Sequence, residues 1–128
     1  MKPILLDTHT AIWFFNGSPN LSETAKQVIL DPGNRISISI VSVWELAVKI
    51  NVDKLKFAGG VAGFLELLDR NDLQLLNITP GHLLELERLP LYHRDPFDRI
   101  LIAAAISEGM TFVTADKDIP QYPLQCVW

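Results

Sequence analysis

HRDPFDRILIAAAISEGMTFVTAD, residues 93–116, is the stretch from which the fold class reads most directly. Asp95-Pro96 opens a helix, because aspartate is a good N-cap and proline tolerates the first helical position. The residues that follow make it the most apolar helix of the chain, and Gly109 is its stop. MTFVT (110–114) then reads as a strand, with Asp116 just past its end. A helix feeding a strand in this way is a piece of an α/β sheet.

The alternation persists outward from there. PILLD (3–7) is a short buried strand ending on an acid, and THTAIWFFN (8–16) is helical with Thr8 available as a cap. Turn formers at 16–20 precede a helix capped by Ser22, and Asp31-Pro32-Gly33-Asn34 is a turn. RISISI (35–40) alternates with the period of a strand. Helices are expected over 42–51, 61–70 and from Pro80 through Arg88, with a loop at 54–57 and strands at 73–78 and 124–127. Together these predict one α/β domain over 1–128, with three layers (α/β/α) around a mostly parallel sheet of four to five strands.

Composition narrows the class. About half of the 128 residues are apolar (48%), enough for a substantial core without staples. Cys126 is the single cysteine, which favours a reducing, cytoplasmic compartment. Three apolar residues before Asp7 are too few for a signal peptide, and no apolar run approaches a membrane span. The net charge of −4 argues against a passive nucleic-acid binder, but not against an enzyme that recruits its own cations.

The acids are informative by position. Asp7 ends the first strand, Glu45 lies in the first turns after the second, Asp98 opens the apolar helix, and Asp116 follows the strand 110–114. Parallel strands share one carboxyl edge, where ligands bind in open α/β sheets. Clustered carboxylates repel unless a cation sits between them, and hard cations such as Mg²⁺ or Mn²⁺ prefer oxygen ligands. No Cys or His pair has zinc spacing. Each acid also has a structural reading. Asp7 could cap the next helix, Ser42 and Glu45 have capping-box spacing, Asp95 suits a cap better than a metal, and Asp98 is welcome in a first helical turn. Asp116 and Asp118 both suit a turn, so the fourth acid stays open between them. Capping explains any one acid, not the gathering of several at one edge.

LLDTHTAIW (5–13), SVWELAVK (42–49) and the stretch 93–116, in that order, closely resemble PIN-domain proteins, and within them VapC-type ribonuclease toxins. The resemblance runs from Ile4 to about Tyr122. It implies a PIN-like fold and cleavage of RNA with Mg²⁺ or Mn²⁺. It maps the metal-binding acids onto Asp7, Glu45, Asp98 and Asp116, with Asp95 a ligand or only a cap. Thr8 and Thr114 would orient a carboxylate or water. Dimerisation and inhibition by a small VapB-like antitoxin are implied too.

Other residues carry weaker signals. Arg94 and Arg99 flank the acids and suit contact with RNA or an antitoxin, or an ion pair with Asp95 or Asp98. His9 and His93 are general-acid candidates that a metal nuclease does not require. Trp13, Phe14 and Phe15 are consecutive, so at least one is expected to meet a partner, whereas Trp44 is expected in the core. Lys49, Lys54 and Lys56 form either a basic strip or a solvated face. The glycines of 59–63 lack a nucleotide-loop setting. Two rival readings remain: a non-catalytic PIN-like module, and a phosphatase using Asp7 as nucleophile. His9 stands where the latter usually has its second aspartate.

Overall fold

Side-chain alternation along the first strand, β1 (Lys2–Leu6), sets the layers of the molecule. Ile4 and Leu6 join one buried cluster while Leu5 joins a second on the opposite face of the sheet. The computed structural model describes residues 2–128. After β1 come α1 (Thr8–Asn16), α2 (Glu23–Leu30), β2 (Asn34–Ser39), α3 (Ile40–Asn51), α4 (Gly60–Arg70) and β3 (Gln74–Leu76). They are followed by α5 (Pro80–Glu87), α6 (Pro96–Glu108), β4 (Thr111–Val113) and β5 (Cys126–Val127), with a short 3₁₀ turn at Ile119–Gln121. The five strands pair in parallel in the order β3-β2-β1-β4-β5. The α/β/α sandwich expected from the sequence is therefore present, with five strands.

Helices α1, α2 and α4 cover one face, where Ala11, Ile12, Ala25, Ile29, Phe64 and Leu68 pack on β1 and β2. Helix α6 covers the other, its Leu101, Ile102, Ala104 and Ala105 packing with Phe112 of β4, and α5 lies against it. Helix α3 contributes to both clusters, through Leu46 on one side and Val41 on the other. Among the described residues no helix is long and apolar enough to cross a membrane.

Three expectations need correction. Helix α3 starts two residues early, because Ser39 caps it by accepting from the Val41 N–H at 3.0 Å. Ser42 is thus inside the helix, its hydroxyl bonded to Thr8 Oγ1 at 2.8 Å, and no capping box ties up Glu45. Trp44 is not core: it is 59% exposed and meets Phe97 edge-on at 4.9 Å between ring centroids. The consecutive aromatics of α1 part in different directions within the chain. Phe15 meets Phe14, Phe57 and Phe64, while Trp13 has His9 and Trp128 as ring neighbours, and all three stay half-buried.

Candidate active site

The strand order reverses beside β1, which has β2 on one side and β4 on the other. Such a switch point leaves a crevice at the carboxyl edge. Leu6 is in register with Val113, so the next residues, Asp7 and Thr114, leave the sheet side by side. The Asp7 N–H still donates to Val113 O at 3.0 Å. Thr114 Oγ1 donates to Asp7 Oδ2 at 2.6 Å and accepts from the Asp116 N–H at 3.1 Å. One hydroxyl thereby ties the first acid to the last. Asp7 stands at the N-cap position of α1, yet its side chain makes no capping hydrogen bond.

Two buried side-chain oxygens among the described residues lack any partner: Asp7 Oδ1 and Glu45 Oε1. Both residues are buried, at 6% and 3% exposure. The other Glu45 oxygen accepts from Lys49 Nζ at 2.7 Å, one helical turn away. Leaving carboxylate oxygens dry and unpaired is costly unless another charge satisfies them.

The remaining acids gather on a histidine. His93 Nε2 lies 2.7 Å from Asp116 Oδ2 and 3.2 Å from Asp98 Oδ2. Ligand atoms of these three residues all fall within 4.8 Å of one another. His93 Nδ1 accepts the Asp95 N–H at 3.1 Å. Its loop is braced from behind: Arg99 donates to the carbonyls of Leu89, Pro90 and His93, and the Tyr122 hydroxyl accepts the N–H groups of Tyr92 and His93.

Electrostatics mark the same place. Burial, with the nearby charges of Asp7 and Asp95, raises the Asp98 pKa to about 7. Burial also raises the Asp7 carboxyl, against the opposing pull of Thr114 and His9. Burial opposes a charge on His93, but the Asp116 bond and the charges of Asp98 and Asp116 outweigh it and lift its pKa. Doubly protonated, the ring would give up the Asp95 bond at Nδ1. A crevice short of positive charge, with two orphaned oxygens and an all-oxygen set of acids, fits a hard divalent cation.

Each sequence candidate has a definite place. Asp7, Asp98 and Asp116 line one cavity of 390 Å³. Glu45 lines the adjoining one of 300 Å³, and its charge reaches both Asp7 and Asp98. Asp95 caps α6, accepting from the N–H groups of Phe97 and Asp98. Asp118 is exposed and only its N–H touches the group, donating to Asp116 Oδ1 at 2.9 Å. Thr8 ties α1 to α3 instead of touching an acid. Arg94 is exposed, whereas the Arg99 guanidinium is spent on the loop it braces and pairs with neither Asp95 nor Asp98. His93, only an optional general acid by sequence, is the residue on which Asp98 and Asp116 converge, and it opens the very stretch that defines the fold. The larger 720 Å³ depression between α5 and α6 lies away from these four acids.

The PIN domain family model matches residues 4–124. Ribonuclease VapC22 of Mycobacterium tuberculosis is 30% identical over 118 residues, covering 91% of this chain and 89% of the relative. Among solved structures, VapBC2 of Rickettsia felis bound to a DNA fragment from its promoter superimposes with a TM-score of 0.74 at 20% identity, over 98% of this chain and 97% of that one. VapC20 of M. tuberculosis, a sarcin-ricin-loop-cleaving toxin, gives 0.63 at 16% identity, over 92% and 93%. The chain therefore belongs to the PIN-domain family, among its VapC-like members.

Proposed function

We propose that the chain is a Mg²⁺- or Mn²⁺-dependent endoribonuclease, the toxin of a toxin–antitoxin pair, whose cation is held by Asp7, Glu45, Asp98 and Asp116. The observation that carries this reading is the pair of buried carboxylate oxygens without partners, Asp7 Oδ1 and Glu45 Oε1, beside the cluster of Asp98 and Asp116. A divalent cation bound there would lower the pKa of an attacking water and offset charge on the leaving oxygen of a phosphodiester.

The chain's own residues do the rest. Thr114 fixes the Asp7 carboxylate with one oxygen turned away from it, and through the Asp116 backbone holds the far side of the crevice in register. Lys49 occupies one Glu45 oxygen and leaves the other free. His93 keeps Asp98 and Asp116 together when they would otherwise repel. Asp95 has a positioning role, as the cap that sets the start of α6.

The similarity to a ribonuclease supports RNA as substrate, and the resemblance of the fold to solved VapBC assemblies supports a small VapB-like antitoxin as partner. A homodimer is part of the same proposal. Ile40, Trp44 and Val48 form an exposed apolar stripe along α3, 37%, 59% and 39% accessible, that a second copy would cover. The test is cleavage of RNA and of DNA of matched sequence with Mg²⁺, with Mn²⁺ and with chelator. RNA cut only with metal is expected; cleavage in excess chelator overturns the mechanism.

A further inference from the structure

The cavity that holds Asp7, Asp98 and Asp116 has an aromatic wall. Trp13 lines it one helical turn beyond His9, with ring centroids 5.9 Å apart. Trp128, 38% exposed, meets Trp13 at the same 5.9 Å. The planes are tilted by 44° and 60°, so no ring lies parallel on a face of Trp13. Trp13 is half-buried at the mouth of a crevice whose other named lining residues are mostly polar or acidic.

We propose that His9, Trp13 and Trp128 form a stacking platform for an unpaired base of the RNA strand, next to the phosphodiester held by the carboxylates. The proposal rests on the nuclease reading of the same site and adds to it the residues that would hold a base beside the acids. Every base has a π-face, and aromatic side chains bind single strands through it. A base inside a duplex has both faces already covered, so it must be splayed out to use the wall.

Charge leaves room for such a platform. The chain carries −4 overall, and two of the cations near the acids are engaged: Lys49 by Glu45, Arg99 by the loop it braces. Without a bound cation, phosphate attraction from the protein's own charges is limited here. Stacking supplies affinity without added positive charge. A platform that shares the cavity with Asp7 and Asp98 also holds a stacked nucleotide near the acids, adding affinity without taking part in the chemistry.

The rival use of the wall is packing alone, with Trp13 as a seat for Trp128. The two are separated by a binding measurement that needs no catalysis. In a Trp44→Phe background, which leaves only the tryptophans of the Trp13–Trp128 pair, the protein in chelator is titrated with a single-stranded RNA of about a dozen nucleotides. Saturable quenching of tryptophan fluorescence is expected, with much weaker quenching by the same sequence as a duplex. Trp13→Ala should weaken single-strand binding roughly ten- to hundredfold, raise KM correspondingly, and leave kcat within a few-fold. Trp13→Phe should recover most of the loss. Trp128→Ala, at a more exposed position, should give a smaller loss of the same kind and serves if Trp13→Ala does not fold. Wild-type binding by Trp13→Ala and Trp128→Ala, or equal quenching by the duplex, overturns the platform. RNA that quenches but is never cut with any metal would leave the platform standing and sink the nuclease reading. RNA cut with unchanged KM by Trp13→Ala does the reverse.

Discussion

Two histidines in this molecule are built into their surroundings almost identically, and differ in one respect. His82 Nδ1 accepts the Thr79 N–H at 3.2 Å, closing the capping box of α5, and its Nε2 meets Glu108 at 2.8 Å. His93 Nδ1 accepts the Asp95 N–H just before α6, and its Nε2 meets Asp116 and Asp98. In both the backbone bond leaves the ring proton on Nε2. Around His82 that proton has one acceptor, and the ring is fully buried in a satisfied arrangement. Around His93 it has two acceptors, with Asp7 and Glu45 behind them carrying oxygens nothing satisfies. The same local device is satisfied where one acceptor faces the ring, and leaves negative charge in excess where two do, at the place proposed for the cation.

The comparison breaks hardest at Asp98. Asp98→Asn should lower RNA cleavage by more than the roughly 10- to 100-fold typical of losing an outer-shell partner of a metal site. In chelator the variant should melt at or above the wild-type temperature, because one repelling charge is gone. Glu108→Gln, the matching change at the other histidine, should leave kcat/KM unchanged and lower the melting temperature. Equal effects of the two variants on activity would erase the distinction.

Removing the rings sharpens it next. His82→Ala opens a buried cavity and unpairs a cap, at about 2–4 kcal/mol in a denaturant titration. His93→Ala should cost clearly less stability while weakening or misaligning metal binding. Arg99→Lys should be milder still. A lysine cannot reproduce the forked set of bonds to Leu89, Pro90 and His93, so cleavage should fall while the melting temperature drops only a few degrees.

pH offers the smallest and most specific effect. With Asp98 at about 7 against an ordinary 3.8, the folded, metal-free protein holds a proton between those values that the unfolded chain has released. Stability from this group is therefore full below the lower value and is lost as pH rises toward the upper one. The raised His93 shifts stability in the same direction, its contribution fading as pH rises past its ordinary range. Thermal melts in chelator from roughly pH 4 to 8 should show wild type losing ground to Asp98→Asn as pH increases. Parallel curves would mean that Asp98 is not held protonated.

Much of this was legible from residue pattern. The helix at 96–108 announces itself through Asp95-Pro96 and Gly109, and the alternation of elements is enough for a parallel sheet. Asp7, Asp98 and Asp116 could be assigned to one edge because each follows a strand or opens a helix there. What pattern could not supply is side-chain direction. Ser42 and Glu45 had capping-box spacing, but Ser39 took the cap and released Glu45 into the crevice. Trp44 reads as core by type, and helical phase puts it outside. Arg99 reads as a free cation, and only the loop geometry shows four oxygens already waiting for it. Trp13 and Trp128 are more than a hundred residues apart, and nothing local pairs them.

The most direct test of the carboxylate centre is a calorimetric titration of Mn²⁺ onto wild type and Asp7→Asn at neutral pH, in two buffers of different ionisation enthalpy. Saturable binding with proton release to the buffer is expected for wild type, and its loss or severe weakening in the variant, which removes the buried charge behind the unpaired Oδ1. Absence of Mn²⁺ binding to wild type, or equal affinity in Asp7→Asn, would contradict the assignment of a cation to these acids.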